Sequence, residues 1–387
     1  MLQLVFGRSG YGKTEYIRNR IADKIDRGET QVLLITPEQY SFISEYSLLE
    51  QLGEARAHAV RCLSFSRLCD ECDRLYGADG RKPLTKGGKA ILMKTAIDQV
   101  RPDLELFEKK GSSAAFVQSM TGIYDEMKSC NLSGAAVYAA ADDLDTDILR
   151  CKMRDFSRIM TAYEALLGDR FADPANRLTR LYDQIKDQNY FAGQTVFLDG
   201  FNGFVAQEYK ILERIIAEAK AVYIALDSDS FGTGDGYDLF AYVNETAGIL
   251  QRIADKAGVP TNALQLGENC RTDYADLRRV EQYIFADQAP ETEIPAEHIR
   301  LYAASTVTDA CNDLALQIKG LLRCGYRAGE IAVTMRDREK YAPVLASAFE
   351  KYGVPYYADE RQPVTAQPIL VFPMYLMRSV IYGWRSD

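Results

Sequence analysis

The octapeptide G-R-S-G-Y-G-K-T at residues 7–14 constrains the fold of this chain more than any other feature, because it matches the phosphate-loop pattern G-x-x-x-x-G-K-T. Residues 2–6 before it alternate as in a short strand. After it, Ile17, Ile21 and Ile25 recur every four residues, which is the apolar stripe of a helix. A strand, a glycine-rich loop and a helix in this order favour phosphate binding over a chance match in a glycine-rich turn.

We predict that this loop binds the phosphates of ATP. Its glycines let the backbone turn and come close to the phosphate oxygens. Lys13 would reach the β and γ phosphates and act in catalysis, and the Thr14 hydroxyl would ligate Mg²⁺. The predicted phosphate-contacting residues of the loop are Gly7, Arg8, Ser9, Gly10, Tyr11, Gly12, Lys13 and Thr14.

Net charge limits the kind of partner that the chain can bind. Its 387 residues carry a formal net charge of −9 and the pI is near 5.1, so contact with nucleic acid needs a local basic channel. No apolar run approaches the roughly 18 residues of a membrane span, and the chain opens on a short strand instead of a signal peptide. We therefore expect a cytoplasmic protein of two or three domains without a membrane partner.

The cysteines of a cytoplasmic chain should stay reduced. The motif Cys69-Asp-Glu-Cys72, with His58 and Cys62 upstream, leaves zinc binding open as an alternative. However, both thiols share one helical face with apolar neighbours, which favours a role in the core. The eight cysteines are Cys62, Cys69, Cys72, Cys130, Cys151, Cys270, Cys311 and Cys324.

Strand and helix patterns divide the chain into three regions. Residues 1–83 and 189–296 alternate between strands and helices and predict an α/β domain that contains the phosphate loop. Residues 84–188 show helical periods alone, which indicates a helical insertion into that domain. Residues 297–387 alternate again, with predicted strands at 299–304, 330–337 and 354–359. We predict two tandem P-loop (RecA-like) domains, the first split by the insertion and the second incomplete.

The second element of a nucleotide site is an apolar strand that ends in an acid. Residues 195–198 form such a strand, and Asp199 follows it as a predicted Mg²⁺ ligand. Hydrolases of this class carry a glutamate directly after that aspartate, but here the next residue is Gly200. Glu208 is the nearest conspicuous replacement, at the start of the next helix. The sequence thus predicts ATP and Mg²⁺ binding without the usual catalytic base.

Two arginines are candidates for reading the γ-phosphate across a gap between domains. Arg271 follows an apolar stretch just before the predicted domain boundary, and Arg336 ends a predicted strand of the last region. A guanidinium delivered from a neighbouring lobe stabilises the charge of a transferring phosphoryl group. For each of them a surface salt bridge is the alternative.

Several segments together resemble the N-terminal half of AddB, the B subunit of bacterial AddAB helicase–nucleases, also called RexB. They are GRSGYGKT, LLITPEQYSFISE, LSFSRL, FLDGFNGFVAQEYKILE, LGENCRT, IAVTMRDREKYAPVLASAFEKYGVPYYAD and QPI, in an order and spacing similar to those of the family. The resemblance covers essentially the whole chain. Family members are far longer, and their C-terminal part carries a nuclease with an iron–sulphur cluster held by four cysteines. Nothing here matches those motifs, so we expect an N-terminal part without cluster ligands.

The resemblance implies a UvrD-like, superfamily-one helicase fold with a degenerate motor. It also implies DNA as a ligand (a single strand or a duplex end), an AddA-type helicase–nuclease partner, and a role in double-strand break repair by homologous recombination. Lys13, Thr14, Asp199 and Arg271 match active relatives. Gly200 departs from them, and so do Cys270 in place of an aromatic residue and residues 226–240, which lack a glutamine-sensor motif.

Two other classes of function remain open at this point. A stand-alone P-loop kinase would explain the loop, but it leaves the last α/β region unexplained. A DNA-binding scaffold with a vestigial nucleotide site would explain Gly200, although the intact Lys13 and Thr14 argue against it.

Overall fold

The computed structural model describes residues 1–78, 80–110, 113–229, 239–286, 290–291, 293–359 and 367–384. The chain forms two compact units, Met1–Ile294 and Pro295–Asp387.

Strands and helices of the first unit follow the alternation expected of an α/β domain. The strands are β1 (Leu2–Gly7), β2 (Val32–Ile35), β3 (Val60–Leu63), β4 (Lys82–Pro83), β5 (Phe171–Ala172), β6 (Thr195–Leu198), β7 (Ala221–Asp227) and β8 (Thr261–Gln265). The α-helices are α1 (Lys13–Asp26), α2 (Ser41–Leu52), α3 (Glu54–Ala57), α4 (Phe65–Tyr76), α5 (Lys86–Val100), α6 (Ala114–Ser129), α7 (Gly134–Ala141), α8 (Asp147–Leu167), α9 (Arg177–Ile185), α10 (Ala206–Glu218), α11 (Ala241–Lys256) and α12 (Ala275–Tyr283). Short 3₁₀ helices lie at Glu38–Tyr40, Arg101–Asp103, Glu108–Lys110 and Pro174–Asn176.

Six strands form one parallel sheet in the order β3-β2-β6-β7-β1-β8. Both of its faces are covered, as burial of a parallel sheet requires. On one face Ile17 and Ile21 of α1 pack with Leu48 and Leu52 of α2 against the sheet, and the other face packs against α4, α9, α10 and α11. The α/β class with a parallel sheet, predicted from the sequence, is confirmed.

Parallel pairing brings the carboxyl ends of the six strands to one edge of the sheet. The phosphate loop follows β1 there, and its strand lies between β7 and β8. Ligands of open α/β sheets bind at this edge. The order of the strands therefore decides which strand-end side chains face the loop.

Helices α5–α8 build a separate apolar cluster that includes Tyr124 and Tyr163. Within it, Lys89 is 7% exposed and Asp173 only 1%. Lys89 donates to Asp173 at 2.8 Å and also contacts Asp125, while the Tyr163 hydroxyl donates to Asp173 at 2.6 Å. This buried polar network is satisfied by its own members and holds the helical layer together.

The core role predicted for the C-x-x-C motif is confirmed. Cys69 and Cys72 are 2% and 0% exposed on α4 and belong to the core under the sheet. Burial raises the pKa of both thiols to about 12, so they stay protonated. Among the described residues no group of three or more His, Cys, Asp or Glu side chains could hold a metal.

The second unit contains α13 (Val307–Arg323), the 3₁₀ helix Ala328–Glu330, α14 (Arg338–Tyr352) and α15 (Pro368–Ile381). Cys311, Ala315 and Ile318 of α13 pack against Leu345, Ala348 and Phe349 of α14. Three strands were predicted here, at 299–304, 330–337 and 354–359, and none of these segments is a strand. Their apolar residues instead pack on the helix pair; among these are Ile331, Val333 and Val354.

Isolated extended segments do not count as strands because a strand needs a hydrogen-bonded neighbour. That part of the sequence prediction is wrong for the described residues of this unit. The boundaries predicted for the domains remain a prediction. Over the described parts of both units, no helix combines the length and apolar character needed to cross a bilayer.

Candidate functional site

The phosphate loop turns on two glycines in left-handed conformation. Gly10 has φ +90° and Gly12 has φ +78°, a region that residues with a side chain enter at a cost. Gly12 precedes the first residue of α1, and its carbonyl oxygen accepts the N–H of Tyr16 at 2.8 Å. The loop thus presents the N-terminus of a 14-residue helix to the sheet edge, the arrangement that favours an anion.

Lys13 points back across its own loop. Its Nζ lies 2.6 Å from the carbonyl oxygen of Gly7, 2.8 Å from that of Arg8 and 2.5 Å from Oδ1 of Asp227. The side chain is only 10% exposed. Three oxygens therefore enclose the ammonium group that was predicted to meet phosphate.

The Thr14 hydroxyl lies near the Asp199 carboxylate, although the two residues come from distant parts of the sequence. Asp199 is 8% exposed. Burial raises its pKa, and the hydrogen bonds from Thr14 and from the Gly200 N–H oppose that rise, as do the charges of Lys13 and Arg18. A hydroxyl beside one desolvated carboxylate fits Mg²⁺, which takes one or two protein oxygens and fills its other positions with water and phosphate.

These residues line one cleft of about 610 Å³ at the sheet edge, which we call the loop cleft. Arg18 and Asp227, which were not predicted from the sequence as site residues, also line the cleft, and so does Cys270. Arg18 was discoverable, because it follows Thr14 by four residues and shares its helix face. Asp227 was discoverable as a second acid that ends a buried strand.

Arg271 lies at the loop, but not for the reason predicted. The backbone N–H of Cys270 donates to the carbonyl oxygen of Gly10 at 2.8 Å, and Arg271 then packs on Gly10 and lines the cleft. Both residues follow β8 in the same unit as the loop. Arg271 is therefore supplied from within the sheet domain, not across a domain gap. Arg336 belongs to the second unit, and its predicted role at the phosphates stays a prediction.

The side chains of Arg8 and Tyr11 turn away from the cleft toward α12. Arg8 pairs with Asp229 at 2.8 Å and donates to the backbone of Glu281 at 3.1 Å. The Tyr11 hydroxyl donates to the Glu281 carboxylate at 3.4 Å. Only the backbones of these two residues are available to phosphate, because their side chains anchor the loop to α12.

Neither Gly200 nor Glu208 supplies the cleft with the usual base. Gly200 lines it with φ +82°, packed under the Pro37 and Tyr40 rings. Glu208 caps α10 by accepting the Val205 N–H at 2.9 Å and lines a different cavity, beside α4 and α5. Glu208 therefore does not replace the missing glutamate. Residues 230–238, which hold most of the tract without a glutamine sensor, lie outside the described residues.

Comparison with known proteins gives one family. A family model described as "ADDB, N-terminal" matches residues 4–281. Several curated proteins, each named as the B subunit of an ATP-dependent helicase/deoxyribonuclease, are similar over the whole chain. Those of Clostridioides difficile (strain 630) and Clostridium botulinum (strain Langeland / NCTC 10281 / Type F) are 28% and 27% identical, and that of Thermoanaerobacter sp. (strain X514) is 25% identical. The chain spans about a third of the length of these relatives, 34% in each case.

Proposed function

The chain belongs to the AddB N-terminal family, and on this basis we propose that it is the helicase-like, ATP- and DNA-binding part of a helicase–nuclease subunit with a degenerate motor. It acts with an AddA-type partner in the cytoplasm, in double-strand break repair by homologous recombination. In this proposal the second unit belongs to a second RecA-like domain. The relatives are each named as one subunit of an ATP-dependent helicase/deoxyribonuclease, which supports the assignment.

One observation carries the nucleotide part of the proposal. Lys13, Thr14 and Asp199 meet in the loop cleft, while the position after Asp199 is a glycine. The first three residues suffice to hold a magnesium-bound triphosphate. A lost general base typically costs about 10²–10⁴-fold in rate. The site therefore holds bound ATP and hydrolyses it slowly, and we call such a site a nucleotide-gated clamp.

Each residue has its own task in this clamp. The loop N–H groups and the N-terminus of α1 hold the phosphate oxygens, and Lys13 neutralises the terminal phosphates. Thr14 and Asp199 would hold Mg²⁺, which neutralises phosphate charge when bound. Arg271 lies beside the loop, where its guanidinium adds positive charge to the cleft.

An ATP titration with Mg²⁺ tests this site. Lys13→Ala should weaken binding by about 1.5–3 kcal/mol, the scale of a hydrogen bond to a charged group. Lys94→Ala is the matched control, because Lys94 pairs with Asp98 on α5 and does not line the cleft. Equal ATP binding by wild type and Lys13→Ala would contradict the site. Absence of ATP affinity in all three proteins would favour a scaffold, and phosphate transfer to a small acceptor would favour a kinase.

DNA binding needs its own measurement because the net charge is −9. Anisotropy of a labelled single-stranded oligonucleotide should rise on titration with the protein at low salt. Affinity should then fall steeply as salt increases, since a local basic track displaces counterions. If the oligonucleotide does not bind even at low salt, the proposal that this chain binds DNA is contradicted.

A further inference from the structure

We infer that Asp227 is a built-in competitor for the terminal phosphates of the nucleotide, so that Mg–ATP has to break the Lys13–Asp227 ion pair in order to bind. This inference rests on the proposed nucleotide site and adds a residue to it. Asp227 holds a position that the phosphate loop pattern does not specify.

Strand order places this carboxylate at the loop. β7 lies directly beside β1 in the sheet, and their register pairs Asp227 with Gly7. Asp199 follows β6, which is one strand further from the loop. Of these two strand-end acids, Asp227 therefore lies nearer to the start of the loop than Asp199, the predicted magnesium ligand.

The contact geometry is that of an occupied anion position. Asp227 Oδ1 lies 2.5 Å from Lys13 Nζ, and the other two oxygens around that ammonium are backbone carbonyls. Carbonyl oxygens have no net charge, so the carboxylate supplies the charge that neutralises Lys13. A phosphate oxygen of ATP would use the same ammonium group.

Asp227 is free to give up this contact. Its side chain is 42% exposed, whereas that of Lys13 is 10% exposed. Opening the pair returns a carboxylate to water but leaves the lysine inside the loop, ready for a new anion. A triphosphate beside Asp227 would also meet a like charge, which disfavours binding. Both effects lower the affinity of wild-type protein for ATP.

Charge removal at this position should therefore tighten nucleotide binding. We expect Asp227→Asn in the full 387-residue chain to lower the Kd for Mg–ATP about two- to fivefold, the range of a partly exposed ion pair. AMP, which has no phosphate within reach of Lys13, should bind both proteins equally. Asp227→Ser serves as a second variant if Asp227→Asn does not fold.

Glu15→Gln controls for general electrostatics. Glu15 also lines the loop cleft, but its ion pair, at 3.7 Å, is with Arg18 and not with Lys13. The inference is supported if Asp227→Asn lowers the Kd for Mg–ATP clearly more than Glu15→Gln does. An equal decrease of this Kd in both variants overturns it.

The remaining outcomes separate the inference from the proposed function. Weaker Mg–ATP binding by Asp227→Asn overturns the inference, because Asp227 then helps to hold the metal or Lys13, while the nucleotide site itself stands. ATP binding by Asp227→Asn but not by wild type supports the inference in its strongest form. No ATP binding by wild type, Asp227→Asn or Asp227→Ser overturns both proposals.

Discussion

Cys270 donates its backbone N–H to the carbonyl oxygen of Gly10 at 2.8 Å, which fastens the segment after β8 to the phosphate loop. A Cβ atom on Gly10 would lie 3.0 Å from Cβ of Arg271. The close approach of these two segments therefore depends on glycine at position 10.

Gly10→Ala should disturb both the loop and Arg271. The left-handed φ of +90° costs an alanine roughly 1–2 kcal/mol, and the clash with Arg271 adds to that cost. We expect a lower free energy of unfolding in urea and weaker Mg–ATP binding. Gly28→Ala is the control, since Gly28 has φ +84° and a Cβ added there would meet no atom within 4 Å. Equal ATP affinity in the two variants would contradict a role for this contact.

Steady-state ATP turnover tests the missing base. Wild type should hydrolyse ATP very slowly, and single-stranded DNA should not raise the rate to that of a motor. Gly200→Glu should not raise the rate of ATP hydrolysis to that of a motor either. A glutamate at φ +82° is strained by roughly 1–2 kcal/mol and faces the Pro37 and Tyr40 rings. A wild-type rate of roughly tens per second that Lys13→Ala abolishes would sink this prediction.

Alkylation of Cys270 reports on occupation of the cleft. Cys270 is exposed and lines the loop cleft, whereas Cys130 and Cys324 are exposed elsewhere. Mg–ATP should slow the reaction of Cys270 with iodoacetamide and leave the other two unchanged, as peptide mass spectrometry would measure. Protection of all three cysteines, or of none, would argue against nucleotide at this edge of the sheet.

Glu29 should make stability depend on pH. Burial opposes the shift, but hydrogen bonds from Lys220, Thr195 and Lys24 lower its pKa from 4.5 to about 2. A lowered pKa stabilises the fold above pH 4.5, and that contribution disappears as pH falls toward 2.

Urea unfolding of Glu29→Gln measures this contribution. The variant should be less stable than wild type by about 1–2 kcal/mol at pH 7, and the difference should shrink below pH 4.5. Asp26→Asn is the control, because Asp26 pairs with Arg56 on the surface with both side chains about half exposed. A difference between wild type and Glu29→Gln that stays constant from pH 7 to pH 3 would refute the prediction.

Lys89 should be essential to the stability of the helical region α5–α8. Lys89→Met leaves the buried carboxylate of Asp173 without its cation, and breaking a buried pair in this way costs about 3–5 kcal/mol. Lys128→Met should cost about 1 kcal/mol or less, because the Lys128–Glu164 pair is partly exposed. Denaturant unfolding measures the free energy of unfolding of both variants. Similar decreases in the two variants would contradict a larger contribution of the Lys89 network to stability.

Local patterns in the sequence were enough to predict the parts of this protein that depend on neighbouring residues. The pattern of residues 7–14 specifies a loop because glycines, a helix stripe and a preceding strand are all local features. An apolar run likewise predicted β6, and a helical stripe predicted that Cys69 and Cys72 are buried. Such signals depend on the period of one element, so neighbours in sequence suffice to read them.

The contacts between elements that are distant in sequence are visible only in the folded chain. The order of strands puts Asp227, not Asp199, beside the start of the loop, and a contact between residues about 260 positions apart brings Cys270 to Gly10. In the folded chain Glu208 also lines another cavity, and the segments 299–304, 330–337 and 354–359 of the second unit are not strands. Strand order and pairing depend on packing across the whole sheet, and no local pattern of side chains encodes them.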